Sequence, residues 1–460
     1  MNTVASVLIA SLAFAPGANA EPTTSTNTQQ KNILLLVLDD LGVDSIGAYG
    51  VGADLPNTPN IDAVAQQGIR FSNVWSNPVC SPTRSSIQTG RYSFKTGIGY
   101  TVTSYSQALS TTEVALPKML QLAGLNYSTA AFGKWHLGNS TNGGLQSPNL
   151  AGYDHYSGAL INIHPPQTYF SWRKTVDGVN SPQSGYLTSD TVDDARDWIN
   201  GAQEPWLAHV AFHSAHSPFH APPSALHSVD LSDAGGPATN PRPYWKAMVE
   251  SMDTEIGRLL TSINYDDSDT VLFILGDNGT DQRVIVPPFK PSHGKGTAYE
   301  GGVNIPFIVA GAGVAQGAIS KGLINTTDIF ATVAELAGAN YSPLTASAPS
   351  SGPSALDSVS IVPYLRMPQL PTIRKFVFTD MFLPTGPGTN PAIIRQGIRG
   401  KRYKLMFHAA PNGSFKYFMF DLIQDPFELN NLLKQPTLTN DQFAAFINLY
   451  TTTSNLLSTN

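Results

Sequence analysis

The chain has 460 residues, only 13% of them charged, and a formal net charge of -6. It offers no basic face to a nucleic acid, and no apolar run beyond the N-terminus approaches the ~20 residues that span a bilayer. The length excludes a single small domain and suits one large domain with a smaller appendage.

In chain order, an apolar stretch from Val4 to Ala15 runs into Pro16-Gly17 and then Ala18-Asn19-Ala20, the small-x-small form of a signal-peptidase site. Residues 1–20 are therefore expected to be a signal peptide. The protein would be exported, periplasmic or secreted, with no membrane contact after cleavage. Ile33 to Leu38 is a continuous apolar run, which predicts a strand buried on both faces, and it ends in Asp39-Asp40. Thr58-Pro59 starts a helix through Ala65 that stops at Gly68; a second helix, Leu116 to Ala123, stops at Gly124. Tyr127 to Phe132 predicts a strand ending in Gly133-Lys134-Trp135-His136.

Residues 139–189 are rich in Gly, Asn, Ser, Pro and aromatics and show little periodicity, so an irregular insertion is expected. Its Tyr153, His155, His164, Tyr169, Trp172 and Arg173 could contact a sugar or an aryl group, or could simply pack a loop. Asp190, Asp193 and Asp194 suit a helix start. Trp206 to Phe212 predicts a strand ending in His213-Ser214-Ala215-His216. Trp245 to Ile263 keeps helical spacing, with Asp253 and Glu255 expected in solvent.

Val271 to Leu275 predicts a strand ending in Gly276-Asp277-Asn278, and Lys295 sits in the glycine-rich run His293 to Gly302. Ile305 to Val309 is a further strand, and Thr327-Asp328 caps a helix over 329–337. Residues 342–371 have a linker composition. Beyond them come strands at 376–378, 392–399, 403–408 and 417–420, and a helix from Thr439 or Asn440 that would bury Phe443, Phe446, Leu449 and Tyr450. The expected fold class is α/β, a large mostly parallel sheet flanked by helices, with a smaller C-terminal antiparallel sheet and helix. The expected domains are a catalytic one over 21–371 and a C-terminal subdomain over 372–460.

In an open parallel sheet, ligands gather outside the carboxyl ends of the strands. Asp39, Asp40, Lys134, His136, His216, Asp277 and Asn278 all follow the last apolar residue of a strand, so they are expected on one edge. Adjacent carboxylates at the end of a buried strand repel one another unless a cation compensates them. The donors are all oxygen, which suits Ca²⁺, with Mg²⁺ possible, and disfavours Zn²⁺ or copper. An isolated Asp-Asp is equally explained by turn chemistry, and two such clusters shift the balance toward a metal. Taken singly, Lys134 and Lys295 read as solvated lysines and each histidine as a packed one. His213 and His220 compete with His216, and Glu300 reads as a partner for backbone donors around its glycines.

Cys80, the only cysteine, can form no internal disulfide. It opens Cys80-x-Pro82-x-Arg84, followed by Thr89-Gly90-Arg91, which resembles the signature of the type I, formylglycine-dependent sulfatases. The other motifs follow in that family's order, from Asp39-Asp40 through Gly133-Lys134-Trp135-His136, His216 and Asp277-Asn278-Gly279 to Gly294-Lys295-Gly296. Phe420-Asp421-Leu422 with Asp425-Pro426 looks like its closing segment.

The resemblance implies hydrolysis of aryl or carbohydrate sulfate esters to alcohol and inorganic sulfate. Cys80 would be oxidised to Cα-formylglycine by a formylglycine-generating or other sulfatase-maturing enzyme. By the same resemblance Asp39, Asp40, Asp277, Asn278 and the modified residue 80 bind the cation, Arg84 holds residue 80, and Lys134, His216 and Lys295 contact the sulfate. One hydroxyl of the hydrated aldehyde would attack sulfur with help from Asp277. His216 or Lys295 would protonate the leaving oxygen, and His136 would take a proton from the second hydroxyl to expel sulfate. Three carboxylates set against a divalent ion, Arg84, Lys134 and Lys295 leave about +2 for an anionic substrate. Phosphate or phosphonate ester hydrolysis and a catalytically silent glycan-binding role are the alternatives.

Overall fold

The computed structural model describes residues 30–265, 267–339, 356–386 and 390–458. The expected signal peptide lies outside these residues. All seven residues of strand β1 (Asn32–Leu38) are buried. Ile33, Leu35 and Val37 enter one core while Leu34, Leu36 and Leu38 enter the other, because successive strand side chains point to opposite faces. Each such residue contributes roughly 1.5–3 kcal/mol by burial, so a charge at Leu36 would break the centre of the molecule.

The main sheet adds β2 (Ile69–Trp75), β3 (Ser128–Gly133), β4 (His155–Gly158), β5 (Ser171–Val176) and β6 (Val179–Ser184). It is completed by β7 (Trp206–Ala211), β8 (Thr270–Gly276), β9 (Phe307–Gly311) and β10 (Ala318–Asn325). The strand order is β10-β2-β9-β8-β1-β7-β3-β4-β5-β6. The run β8-β1-β7-β3-β4 is parallel throughout. β9 is antiparallel to both neighbours, since the chain leaves β8 at its carboxyl edge and re-enters the sheet from that same edge. The helices Pro59–Gln67, Leu187–Gly201 and Pro241–Ser262 cover one face, and Cys80–Thr89, Leu116–Leu122 and Asp328–Ala337 cover the other.

The expected irregular insertion is partly regular. β5 and β6 form a hairpin that extends the sheet, turned by Asp177 and Gly178 at φ 45° and 83°. An Asp-Gly pair with two positive φ values is the turn that matches strand twist. Asp190 and Asp194, expected only to favour a helix start, also hold Lys174 of β5 at 2.8 and 2.6 Å.

Asp253 and Glu255 are buried, not solvated. Asp253 accepts from the Asn60 and Ile61 amides at 3.1 and 2.8 Å. It thereby satisfies the start of the Pro59–Gln67 helix, which has no side-chain cap of its own. Glu255 pairs with Arg258 at 2.6 Å and accepts from Ser189 Oγ at 2.7 Å. In the stretch read as a linker, residues 342–355 lie outside the described residues. The Val362–Arg366 helix beyond them packs Tyr364 and Leu365 into the core.

The second sheet is an antiparallel meander of β11 (Val377–Leu383), β12 (Ile393–Arg399), β13 (Tyr403–Ala409) and β14 (Phe415–Asp421). The helix Asn440–Ser458 packs beside it and buries Leu449 and Thr453. Phe446 is partly covered, but Phe443 and Tyr450 are 58% and 45% exposed, because the helix's apolar stripe is wider than the strand surface beneath it. Glu300 joins the two sheets. Its buried carboxylate accepts from Trp75 Nε1 at 3.1 Å and pairs with Lys404 at 3.1 Å and Arg399 at 3.2 Å. Its partners are thus side chains of both sheets, Trp75 of β2, Arg399 of β12 and Lys404 of β13, not the nearby glycine amides.

Candidate active site

Four neighbouring parallel strands, β8, β1, β7 and β3, end on one edge and there release Asp277-Asn278, Asp39-Asp40, His213 to His216 and Lys134 to His136. β2 delivers its chain to the same edge, where the Cys80–Thr89 helix begins with Cys80 as its first residue. Every residue of that helix is buried. Lys295 arrives from the loop between β8 and β9. The structure therefore brings together Asp39, Asp40, Cys80, Arg84, Lys134, His136, His216, Asp277, Asn278 and Lys295. Asp40 and His136 both have φ of 60°, a left-handed backbone uncommon for residues with a Cβ and concentrated at functional sites.

The contacts define a charge lattice. Arg84 donates from Nε and Nη2 to Asp277 Oδ2 at 3.0 and 2.8 Å, and from Nη1 to the Lys134 carbonyl at 2.9 Å. Lys134 Nζ pairs with Asp39, and Lys295 Nζ lies 2.5 Å from Asp40 Oδ1. His136 Nδ1 is 3.4 Å from Cys80 Sγ. His216 Nδ1 sits 2.6 Å from the Ser217 carbonyl. A carbonyl can only accept, so Nδ1 carries the proton and Nε2, 3.9 Å from Asp40 Oδ2, is the free end. His213 points its Nε2 at the Ile161 carbonyl, 3.1 Å away, and His220 stacks on Tyr169 at 4.3 Å. Of the three competing histidines, His216 is the one facing the carboxylates.

Burial pushes the Cys80 thiol up, an effect Lys134 only partly offsets, so the thiolate needed for sulfur nucleophilicity is disfavoured. Burial and the neighbouring Asp39 raise Asp277 to about 6 against the pull of Arg84. Burial would raise Asp40 too, but Lys295, His216 and Lys134 outweigh it and hold that carboxyl below the usual range. Burial and then Lys295 lower His216 to about 3, while burial and Lys134 keep His136 well below its ordinary value. Burial opposes the charge of Lys295, yet Asp40 raises it well above an ordinary lysine.

The cluster fits a hard divalent cation. Asp39 Oδ1, Asp40 Oδ2 and Asn278 Oδ1 are buried without a hydrogen-bond partner among the described residues. Ligand atoms of Asp39, Cys80 and Asp277 lie within 4.8 Å of one another. Unsatisfied buried oxygens are costly, and an oxygen-bound ion such as Ca²⁺ satisfies them together.

Gln88 and His209 support the site without any signal in the sequence pattern, Ser81 does so from within the signature, and Tyr153 and Tyr169, expected as ligand contacts or loop packing, are buried supports. Ser81 Oγ donates to the His136 carbonyl at 2.8 Å and accepts from the Val102 amide at 2.9 Å, tying the cysteine helix to two loops. Tyr169 OH lies 2.6 Å from the His213 carbonyl and 2.7 Å from that of His216, so the insertion holds the histidine turn. Gln88 Nε2 meets Tyr153 OH and His209 Nδ1, each at 3.0 Å, beneath the site. Their partners are remote in sequence; Ser81 is marked by its position inside the signature, and Tyr153 and Tyr169 by the aromatic content of the insertion.

A family model described as Sulfatase matches residues 31–339. Arylsulfatase G of Mus musculus is 28% identical over 394 residues, 73% of this chain and 71% of that one. Arylsulfatase A of Bos taurus is 28% identical over 460 residues, 87% of this chain and 83% of its own. The crystal structure of Ps i-CgsB in complex with k-i-k-neocarrahexaose shares the fold, with a TM-score of 0.72 at 24% identity over 88% of this chain and 89% of that one. With the family match spanning most of the chain and the cysteine and carboxylates gathered on one sheet edge, the protein belongs to the sulfatase family, enzymes that hydrolyse sulfate esters.

Proposed function

We propose that this protein cleaves sulfate monoesters at residue 80, with Lys134, His216 and Lys295 binding the sulfate group. The observation that supports this most is the meeting of Cys80 with three carboxylates, Asn278 and two lysines on a single buried edge. Asp39, Asp40, Asp277, Asn278 and residue 80 would hold the cation. When present, the cation supplies positive charge for the sulfate oxygens, and the formylglycine made from Cys80 supplies the nucleophilic hydroxyl. Arg84 fixes the Asp277 carboxylate through two hydrogen bonds to Oδ2, and Oδ1, which accepts from the Asp40 amide at 3.1 Å, keeps a second lone pair for the cation or for a proton from residue 80. Lys134 and Lys295 present fixed ammonium groups where sulfuryl charge develops, in a site from which water is largely excluded. His136 Nδ1, already beside residue 80, takes the proton whose loss releases inorganic sulfate. Of the two groups expected to protonate the leaving oxygen, Lys295 Nζ keeps its proton and supplies it, while His216 Nε2, the unprotonated end of a neutral ring, accepts a hydrogen bond.

The burial of residues 80–89 supports maturation before folding, since a sulfatase-maturing enzyme could not reach Cys80 in the closed domain. Export by residues 1–20 and a division into a catalytic domain over 21–371 and a subdomain over 372–460 complete the reading. No described helix is long and apolar enough to cross a membrane. Matched aryl sulfate and aryl phosphate esters test the reaction. Faster release of sulfate is expected, and faster release of phosphate would contradict it.

A further inference from the structure

Lys295 stands between two glycines, and Gly296 has φ of 83°, so this stretch of backbone has few conformational limits of its own and must be held from outside. All four backbone polar groups of Lys295 and Gly296 are held. The Lys295 amide donates to the Thr280 carbonyl at 2.9 Å, and the Gly296 amide to that of Pro78 at 2.7 Å. The Lys295 carbonyl accepts from Gln282 Nε2 at 2.8 Å, and the Gly296 carbonyl accepts from Arg395 Nη1. Thr280 and Gln282 follow β8 and Pro78 precedes Cys80, so three of these ties come from the carboxyl edge of the main sheet. The fourth, Arg395, crosses from β12 of the second sheet.

The crossing is in register. Arg395, Gly397 and Arg399 share one face of β12, because strand side chains alternate, and they meet the lysine loop at every second residue. Arg395 binds Gly296, a Cβ added to Gly397 would lie 3.5 Å from that of Ala298, and Arg399 pairs with Glu300 at 3.2 Å. Apolar contacts reinforce the far end of the loop. Ala298 shares a core with Met406 and Phe420, and the Tyr299 and Phe420 rings are 5.9 Å apart. Ala298 and Glu300 are buried, so the second sheet grips the loop firmly beyond Gly296, and the Arg395 bond carries that grip to the residue next to Lys295. A guanidinium donor makes a charge-assisted bond, stronger than a neutral one. The lysine stem is four flexible carbons, so where Nζ can stand depends on where its backbone is fixed.

We infer that Arg395 is a positioning residue for Lys295: through the Gly296 carbonyl it fixes the backbone from which the Lys295 ammonium reaches the sulfate group. The inference rests on the sulfate-binding role of Lys295 proposed above, and two readouts separate them. Hydrogen exchange of the segment 293–299 reads the loop without any chemistry. Calorimetric titration of the matured protein with inorganic sulfate reads the ammonium. Arg395→Ala, at a half-buried position, should speed exchange of the Lys295 and Gly296 amides about tenfold and leave β1 unchanged. It should also weaken sulfate binding about tenfold, and Arg395→Lys, which keeps a charged donor, should recover part of both effects. In the Lys295→Ala background, Arg395→Ala should cost no further sulfate affinity, because its effect passes through Lys295; a merely structural role would cost the same in both backgrounds. Unchanged exchange in Arg395→Ala, full sulfate affinity in Arg395→Ala where Lys295→Ala loses it, or an equal loss with and without Lys295 overturns the inference. If Lys295→Ala keeps full sulfate affinity while Arg395→Ala still loosens the loop, the sulfate-binding role of Lys295 fails, and Arg395 stands as the residue that holds its backbone.

Discussion

Lys404→Met should destabilise the protein strongly although Lys404 is remote from the sulfate site in the chain. Its ammonium is fully buried, 3.1 Å from Glu300 Oε1 and 2.7 Å from Glu428 Oε1. Methionine nearly matches the volume of the stem, so the change removes charge and little packing. Glu300 keeps Arg399 at 3.2 Å, but Glu428 is left facing a second buried carboxylate. Breaking a buried pair from one side costs about 3–5 kcal/mol, a large part of the ~5–15 kcal/mol that holds a domain folded. For a chain of this length melting together, that is roughly 3–6 °C in Tm. The deficit should also depend on pH. Burial raises Glu428 to about 7 against the pull of Lys404, so folding takes up a proton and stability falls as pH rises from about 4.5 toward 7. Without Lys404 the folded pKa moves higher still, the loss continues to higher pH, and the gap between variant and wild type widens from pH 5 to pH 8. Glu428→Gln in the Lys404→Met background should recover part of the loss at pH 8. Scanning calorimetry across this range is the assay. An unchanged Tm at pH 8, or no recovery in the double variant, would refute the reasoning.

Chelation and metal addition should move the melting temperature of the protein. An ion bound at a hundred times its Kd contributes about 2.7 kcal/mol, and Ca²⁺ should stabilise more than Mg²⁺, which sheds its waters reluctantly in a dry cluster; a Tm indifferent to both ions would remove the metal. Tyr169→Phe takes a hydroxyl from two carbonyls, those of His213 and His216, and should cost about 1–3 kcal/mol of stability. If Tyr169 positions His216, KM for the ester and the inhibition constant of inorganic sulfate should rise together; a stability loss with both unchanged would make the residue purely structural.

What could be read from the sequence follows from where each signal is local. β1 and β8 are apolar runs and β7 is one interrupted only by His209, and topology alone places the polar residues just past their ends on one edge. Cys80–Thr89 was not legible as a helix, because it is polar throughout and buried on every side, so no amphipathic contrast marks it. β6 reads Val-Asn-Ser-Pro-Gln-Ser and is mostly exposed; as an edge strand it tolerates Pro182, and only Asp177-Gly178 announced the hairpin. Asp253 looked solvated because the amides it satisfies lie nearly two hundred residues away. Phe443 and Tyr450 matched a helical stripe whose spacing says nothing about how wide a surface the neighbouring sheet offers.

The central claim is that Cys80 acts only after its sulfur is lost. Mass spectrometry of the tryptic peptide Phe71 to Arg84, on preparations of graded specific activity, tests it most directly. Sulfate release should scale with the fraction of peptide carrying an aldehyde in place of the thiol. Full turnover by protein whose Cys80 remains an unmodified thiol would contradict the account.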